Sequence, residues 1–166
     1  MSDALLPSDI HELAAKVVEE NRAAGRTIAL AESCTGGLVC AALTEIPGSS
    51  SVLDRGFITY SNEAKMEQLD VSQDIIETFG AVSIACVWAM AQGALANSQA
   101  DVAVSISGVA GPGGGTPNKP VGTVVFARAL RGAEGEPEGE LKSFGDLGRA
   151  GIRRQATLCA LELLLP

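Results

Sequence analysis

Three polar side chains fall where chemistry would be expected: Ser33, Lys65 and Ser107. Each stands just past the end of a run that predicts a β-strand. In open α/β sheets, that carboxyl edge is where ligands bind. Ser33 lies in Ala31-Glu32-Ser33-Cys34-Thr35-Gly36-Gly37, between an apolar β-branched run from Thr27 and an apolar segment over 38–43 that Pro47-Gly48 stops. That pattern reads as strand, tight turn and helix. A serine becomes a nucleophile only when a base takes its proton. The single histidine, His11, sits in a polar terminal helix and reads as a surface residue. A lysine can serve as the base instead, provided burial or a helix start pulls its pKa down.

By themselves these residues leave other roles open. Ser33 or Thr35 would equally cap the helix that follows. Lys65, in the first turn of a helix capped by Ser61 or Asn62, reads either as a depressed-pKa base or as a solvated lysine balanced by Glu63 and Glu67. Several Ser/Lys pairs fit the same logic. Cys34 is a rival nucleophile, although a reactive thiol needs a nearby histidine or a helix-lowered pKa. Exposed amides at the helix start, with Gly36 and Gly37 allowing close approach, would suit an oxyanion or phosphate.

The elements that must position these groups follow from periodicity. A first helix is predicted over 9–24, with Ser8 as its cap and Gly25 as its stop. After the Ser33 corner come a loop at Pro47-Gly48-Ser49-Ser50-Ser51 and a strand over 56–60. Next are the Lys65 helix, a short helix over 72–79 closed by Gly80, and an alanine-rich helix over 84–97 capped by Ser83. Trp88 and Met90 read as core or interface residues. Residues 102–107 are apolar at nearly every position, as in a central strand covered on both faces. The glycine-rich stretch 108–120 lacks Walker spacing and reads as a ligand-wrapping or flexible surface loop. A strand over 121–130, a polar turn, a hairpin strand over 141–144 and a helix over 149–165 complete the chain. Arg153 and Arg154 fall early in that helix, against its dipole, which suggests an anionic ligand or a carboxylate partner. The expected fold is a three-layer α/β sandwich, with a mixed, mostly parallel sheet flanked by helices in a single domain, 1–166.

Bulk composition narrows the function classes. Among 166 residues, 46% are hydrophobic and 19% charged, which is globular. Twelve basic residues against 20 acidic ones give a net charge of −8 with no basic cluster, so nucleic acid is not expected as a partner. The four cysteines show no CxxC spacing, which predicts free thiols rather than disulfides or a zinc site. No apolar amino-terminal signal or long apolar span is present, so a cytoplasmic protein without membrane contact is expected.

The motifs also match a known pattern in one order along almost the whole chain. They are the Ser33 motif, Gly56-Phe57-Ile58-Thr59-Tyr60-Ser61-Asn62-Glu63-Ala64-Lys65, Gly80-Ala81-Val82-Ser83, Ser105-Ile106-Ser107-Gly108-Val109-Ala110-Gly111-Pro112-Gly113-Gly114, Lys119-Pro120-Val121-Gly122-Thr123-Val124 and Arg153-Arg154-Gln155-Ala156. Together they resemble the CinA C-terminal domain family in its stand-alone PncC-type branch, the nicotinamide-mononucleotide amidohydrolases. The resemblance implies deamidation of nicotinamide mononucleotide to nicotinic acid mononucleotide and ammonia, in pyridine nucleotide recycling, without metal or cofactor. It further implies a Ser33 nucleophile, a Lys65 base and an orienting Tyr60 hydroxyl. Thr35, Gly36, Gly37, Ser107, Gly108, Gly111, Gly113 and Arg149 are the substrate-binding positions that go with it. The family's last motif reads Gly-Asp-Arg; here Leu147-Gly148-Arg149 keeps the arginine and displaces the acidic neighbour to Gly145-Asp146. A homodimer is implied as well. The other reading the resemblance carries is an inactive nucleotide-binding or protein-interaction module of the competence/damage-inducible type.

Overall fold

A computed structural model describes residues 3–166. Six helices and five strands follow one another as α1 (Ser8–Ala24), β1 (Ile28–Glu32), α2 (Leu38–Thr44), β2 (Leu53–Ile58), α3 (Asn62–Leu69), α4 (Gln73–Phe79), α5 (Ile84–Ala96), β3 (Val102–Gly108), β4 (Thr123–Leu130), β5 (Glu138–Ser143) and α6 (Gly148–Leu163). The strands form one sheet in the order β2-β1-β3-β4-β5. β1 pairs in parallel with β2 and β3, while β4 runs antiparallel to β3 and β5. Four strands therefore point one way and β4 opposes them, which is the mixed, mostly parallel sheet expected.

Strand alternation sorts the core into two layers. Ile28, Leu30, Val102, Val104, Ile106, Val124 and Phe126 face α1, α2 and α6. Ala29, Ala31, Ala103, Val125, Ala127 and Ala129 face α5 and the end of α3. Small residues on the second face let α5, itself rich in alanine and glycine, settle close to the sheet. On the first face each fully buried Leu, Ile or Phe contributes roughly 1.5–3 kcal/mol of transfer free energy. β3 is buried along almost its whole length, as its unbroken apolar run requires.

Side-chain caps mark three of the six helix starts. Ser61, Ser72 and Ser83 accept hydrogen bonds from the amides of Ala64, Ile75 and Cys86. Gly25 closes α1 at φ 64°. Ser8 does not cap α1: Pro7 takes the N-cap position, Ser8 is already helical, and no side chain caps the end. β2 spans Leu53–Ile58 rather than 56–60. As an edge strand it is mostly exposed and shows no apolar run to mark its ends. The β4 strand begins at Thr123, after Gly122 turns the chain at φ 95°, and β5 begins earlier than expected, at Glu138.

Candidate active site

β1, β2 and β3 end side by side, and their backbone pairing continues past the strands. The Ser33 amide donates to the Ile106 carbonyl at 3.0 Å, and the Thr59 amide donates to the Glu32 carbonyl at 2.8 Å. These two bonds fix the corner after β1 and the segment leading into α3. Ser61 then starts α3, and Lys65, one turn later, reaches back under the sheet edge. Lys65 is 1% exposed and Ser33 7%, so the pair is withdrawn from water.

Lys65 Nζ lies 3.0 Å from Ser33 Oγ, 2.9 Å from the Thr59 carbonyl and 3.3 Å from the Tyr60 carbonyl. A neutral amine has two N–H groups and one lone pair. In that form the two carbonyls would take the N–H groups and leave the lone pair facing the serine hydroxyl, whereas the ammonium would donate to all three oxygens. Burial lowers the Lys65 pKa from the ordinary lysine value; Cys86 and Cys34 pull weakly the other way. The solvated lysine balanced by Glu63 and Glu67 is not what the fold contains.

Cys34 borders the cleft beside Ser33 but is buried in the core layer that faces α2 and α6. Burial, reinforced by Glu32, pushes its thiol up to about 11. It is a thiol, not a thiolate, at neutral pH.

A cleft of about 300 Å³ opens over Ser33 and Lys65. Ser107, Gly108, Gly111 and Gly113 line it from the β3 end and the glycine-rich loop, with Tyr60 and Arg149 at other walls. Ser107 is 2% exposed, and its hydroxyl has no partner among the described residues. Arg149, in the first turn of α6, donates through Nη1 to the Gly111 carbonyl at 2.6 Å and through Nη2 to the Tyr60 hydroxyl at 3.1 Å. A carbonyl of the loop thus orients this arginine in the absence of an acidic neighbour. The Tyr60 hydroxyl meets Arg149 rather than the Ser33–Lys65 pair, and Tyr60 holds Lys65 through its carbonyl instead.

Thr35, Gly36 and Gly37 stand outside the lining of the cleft. Thr35 is fully buried and donates to the Glu32 carboxylate at 2.6 Å. That carboxylate also accepts from the amides of Gly37, Val39 and Cys40. The start of α2 is therefore filled by Glu32, where a ligand was expected, and neither Ser33 nor Thr35 caps it. Arg153 donates to the carbonyls of Cys34 and Thr35, and Arg154 pairs with Asp9 at 2.8 Å. These partners account for two arginines placed against a helix dipole. The expected carboxylate partner is found for Arg154, whereas Arg153 is held by carbonyls; the sequence assigns Glu32 no role, because its partners are groups that the fold alone brings near.

The assembled features define a three-layer α/β protein that seats a serine hydroxyl on a buried lysine at the carboxyl edge of its sheet. The chain belongs to the CinA C-terminal domain family, whose pattern matches residues 10–166. It is 49% identical over 157 residues to "Nicotinamide-nucleotide amidohydrolase PncC" of Escherichia coli strain K12, covering 95% of this chain and 93% of that protein. A relative from Symbiobacterium thermophilum is 50% identical over 147 residues, and there the match spans 84% of this chain but 34% of a longer protein. Among solved structures, the competence/damage inducible protein CihA from Agrobacterium tumefaciens superposes with a TM-score of 0.93 at 46% identity, covering 97% of this chain and 96% of that one.

Proposed function

We propose that this chain hydrolyses the carboxamide of nicotinamide mononucleotide, releasing ammonia and nicotinic acid mononucleotide. The observation that carries the reading is the 3.0 Å contact between Ser33 Oγ and a lysine whose two remaining contacts are carbonyls. The E. coli relative, matched over nearly its full length, bears the name of that activity.

In this mechanism Lys65 Nζ takes the Ser33 proton while Oγ bonds to the amide carbon. The tetrahedral oxyanion needs donors. Within the turn, the Ser33, Gly36 and Gly37 amides already donate to Ile106 O, Ser33 O and Glu32 Oε1. Cys34 and Ser107 border the cleft, and the Cys34 amide serves this role together with the unpartnered Ser107 hydroxyl. Such a donor is worth about 3 kcal/mol of barrier. Collapse breaks the C–N bond, the Lys65 ammonium returns its proton to the departing ammonia, and an acyl-enzyme remains on Ser33. Water, deprotonated by the neutral Lys65, then attacks the acyl carbon; the C–Oγ bond breaks, Lys65 gives the proton back to Ser33 Oγ, and the carboxylate product is freed. Arg149 is the cation facing the cleft mouth and takes the nucleotide phosphate, with Gly108, Gly111 and Gly113 letting the nucleotide lie against the backbone. Tyr60 lines the same mouth and orients Arg149 through its hydroxyl.

We further infer a cytoplasmic homodimer, which light scattering tests. Among the described residues no helix is long and apolar enough to cross a membrane. The assay for the main reading is ammonia release from nicotinamide mononucleotide by the wild type and by Ser33→Ala. Release by the wild type and a loss of at least about 10³-fold in the variant are expected. Nucleotide binding without ammonia from the wild type would favour the interaction-module reading.

A further inference from the structure

Glu32 takes no part in the steps just given, yet it is 0% exposed and immediately precedes Ser33. Its Oε1 accepts from Thr35 Oγ1 at 2.6 Å, the Gly37 amide at 3.2 Å and the Val39 amide at 3.1 Å, and its Oε2 accepts from the Cys40 amide at 3.1 Å. Burying an unpartnered carboxylate is very costly, and here four donors from a single turn and helix start compensate it. Among the described residues no lysine or arginine side chain takes part in this network. An ordinary serine cap would satisfy one helix amide and would leave the turn far less constrained. The Glu32 backbone does a second job: its carbonyl accepts from Thr59, whose own carbonyl holds Lys65 Nζ. Both members of the Ser33–Lys65 pair are thereby tied to this residue, from the side away from the cleft.

We propose that Glu32 is a positioning residue of the amidase: its carboxylate ties the 33–37 turn to the start of α2 and so fixes Ser33 Oγ and the Cys34 amide relative to the attacked carbonyl. The inference rests on the amidase reading. It assigns no proton transfer to Glu32, because its contacts run to the turn and to α2, not to Ser33 Oγ or Lys65 Nζ.

Three variants of the full chain grade the tie. Glu32→Gln keeps the oxygen that accepts three bonds and loses the acceptor for Cys40; Glu32→Leu loses all four. Thr35→Val removes only the 2.6 Å bond. Two readouts are taken across pH: ammonia release, and phosphonylation of Ser33 by an alkyl fluorophosphonate. In the second, the Oγ–P bond forms as P–F breaks, fluoride leaves and Lys65 retains the proton, so no nucleotide is needed. Expected rates fall by less than about tenfold for Glu32→Gln, about tenfold for Thr35→Val and at least about 100-fold for Glu32→Leu, the scale set by small misplacements of reacting groups. KM should stay within about twofold, since a positioning tie acts on the reacting atoms and not on substrate affinity. The pH midpoint should not move, because the surroundings of Lys65 are intact. Should Glu32→Leu fail to fold, Thr35→Val carries the test alone. Wild-type rates in Glu32→Leu or Thr35→Val overturn the proposal, as does a shifted pH midpoint in Glu32→Gln, which would mean that Glu32 acts through its charge. A wild type that is phosphonylated but releases no ammonia removes the proposed substrate and leaves the graded labelling to judge Glu32. A wild type that does neither overturns both readings.

Discussion

Lys65 is the base of the proposed mechanism because the fold withholds water from it without giving it a carboxylate partner. Burial disfavours the ammonium, and two backbone carbonyls suffice for the neutral form. The consequence for stability has a definite sign. Between its lowered native pKa and its ordinary unfolded value, Lys65 binds fewer protons folded than unfolded, so this residue makes stability rise with pH across that window. Below the native pKa the full cost of burying the charge is present. Lys65→Met lacks this term. Thermal unfolding at several pH values should therefore show the wild type gaining on Lys65→Met as pH rises toward the ordinary lysine range; parallel curves would mean that the amine is not shifted. Turnover by the wild type should rise with pH through the same lowered pKa, and Lys65→Met should lose at least about 100-fold in kcat, as for removal of a general base. At Cys34, a thiol pushed up to about 11 predicts near-normal ammonia release from Cys34→Ala, within about threefold, and slow alkylation of Cys34 at pH 7 in the native protein. Rapid alkylation with loss of activity would make the thiol the nucleophile.

Helix packing decides whether Lys65 reaches Ser33 at all. α3 carries the lysine and lies against α5, and the contact is closest at Gly93, where an added Cβ would run into the Leu69 backbone carbonyl. Neither helix can move aside without shifting Lys65 or opening the alanine-lined face of the sheet. Gly93→Ala should cost about 3 kcal/mol as overpacking, which for a domain of this size lowers Tm by roughly 6–12 °C. It should also lower kcat by displacing α3; an unchanged Tm would show slack between the helices. Gly93 looked ordinary in a helix read as alanine-rich, because close approach between two helices leaves no mark on either sequence alone. What was legible followed local rules. Ser61, Ser72 and Ser83 announce their helices by capping them, and β3 announces itself by an unbroken apolar run. Illegible features needed partners distant in the chain. The edge strand β2 is half exposed and has no pattern to bound it, and Ser8 lost its cap to Pro7, whose extended backbone already sits outside α1. Ser33 and Lys65 were recognisable as residue types in a motif, whereas the Glu32 tie to α2 and the Arg149 bond to Gly111 exist only once the sheet has aligned its carboxyl ends.

At the scale of the molecule, charge is distributed unevenly about the site. The chain carries −8 overall, yet Lys65, Arg149 and Arg153 gather at the carboxyl end of the sheet. Lys65 is committed to Ser33, and Arg153 donates to the carbonyls of Cys34 and Thr35. Arg149 is left as the cation at the cleft, and it is bonded at once to the glycine-rich loop and to Tyr60. A phosphate seated there would join α6, the loop and the segment leading into α3 into one unit, and binding would stabilise the whole fold rather than a local flap. On the proposed mechanism Ser33→Ala should bind nicotinamide mononucleotide without consuming it, so the linkage can be read directly. At a ligand concentration about 100 times Kd the native state gains about 2.7 kcal/mol, which corresponds to a rise in Tm of roughly 5–11 °C. Adding Arg149→Met to Ser33→Ala should remove most of that rise at the same nucleotide concentration, because the phosphate loses its charge-assisted donors. The dephosphorylated nucleoside should give little rise in either protein. A full shift that survives Arg149→Met would move the phosphate site to the loop amides and leave Arg149 as a brace between Gly111 and Tyr60.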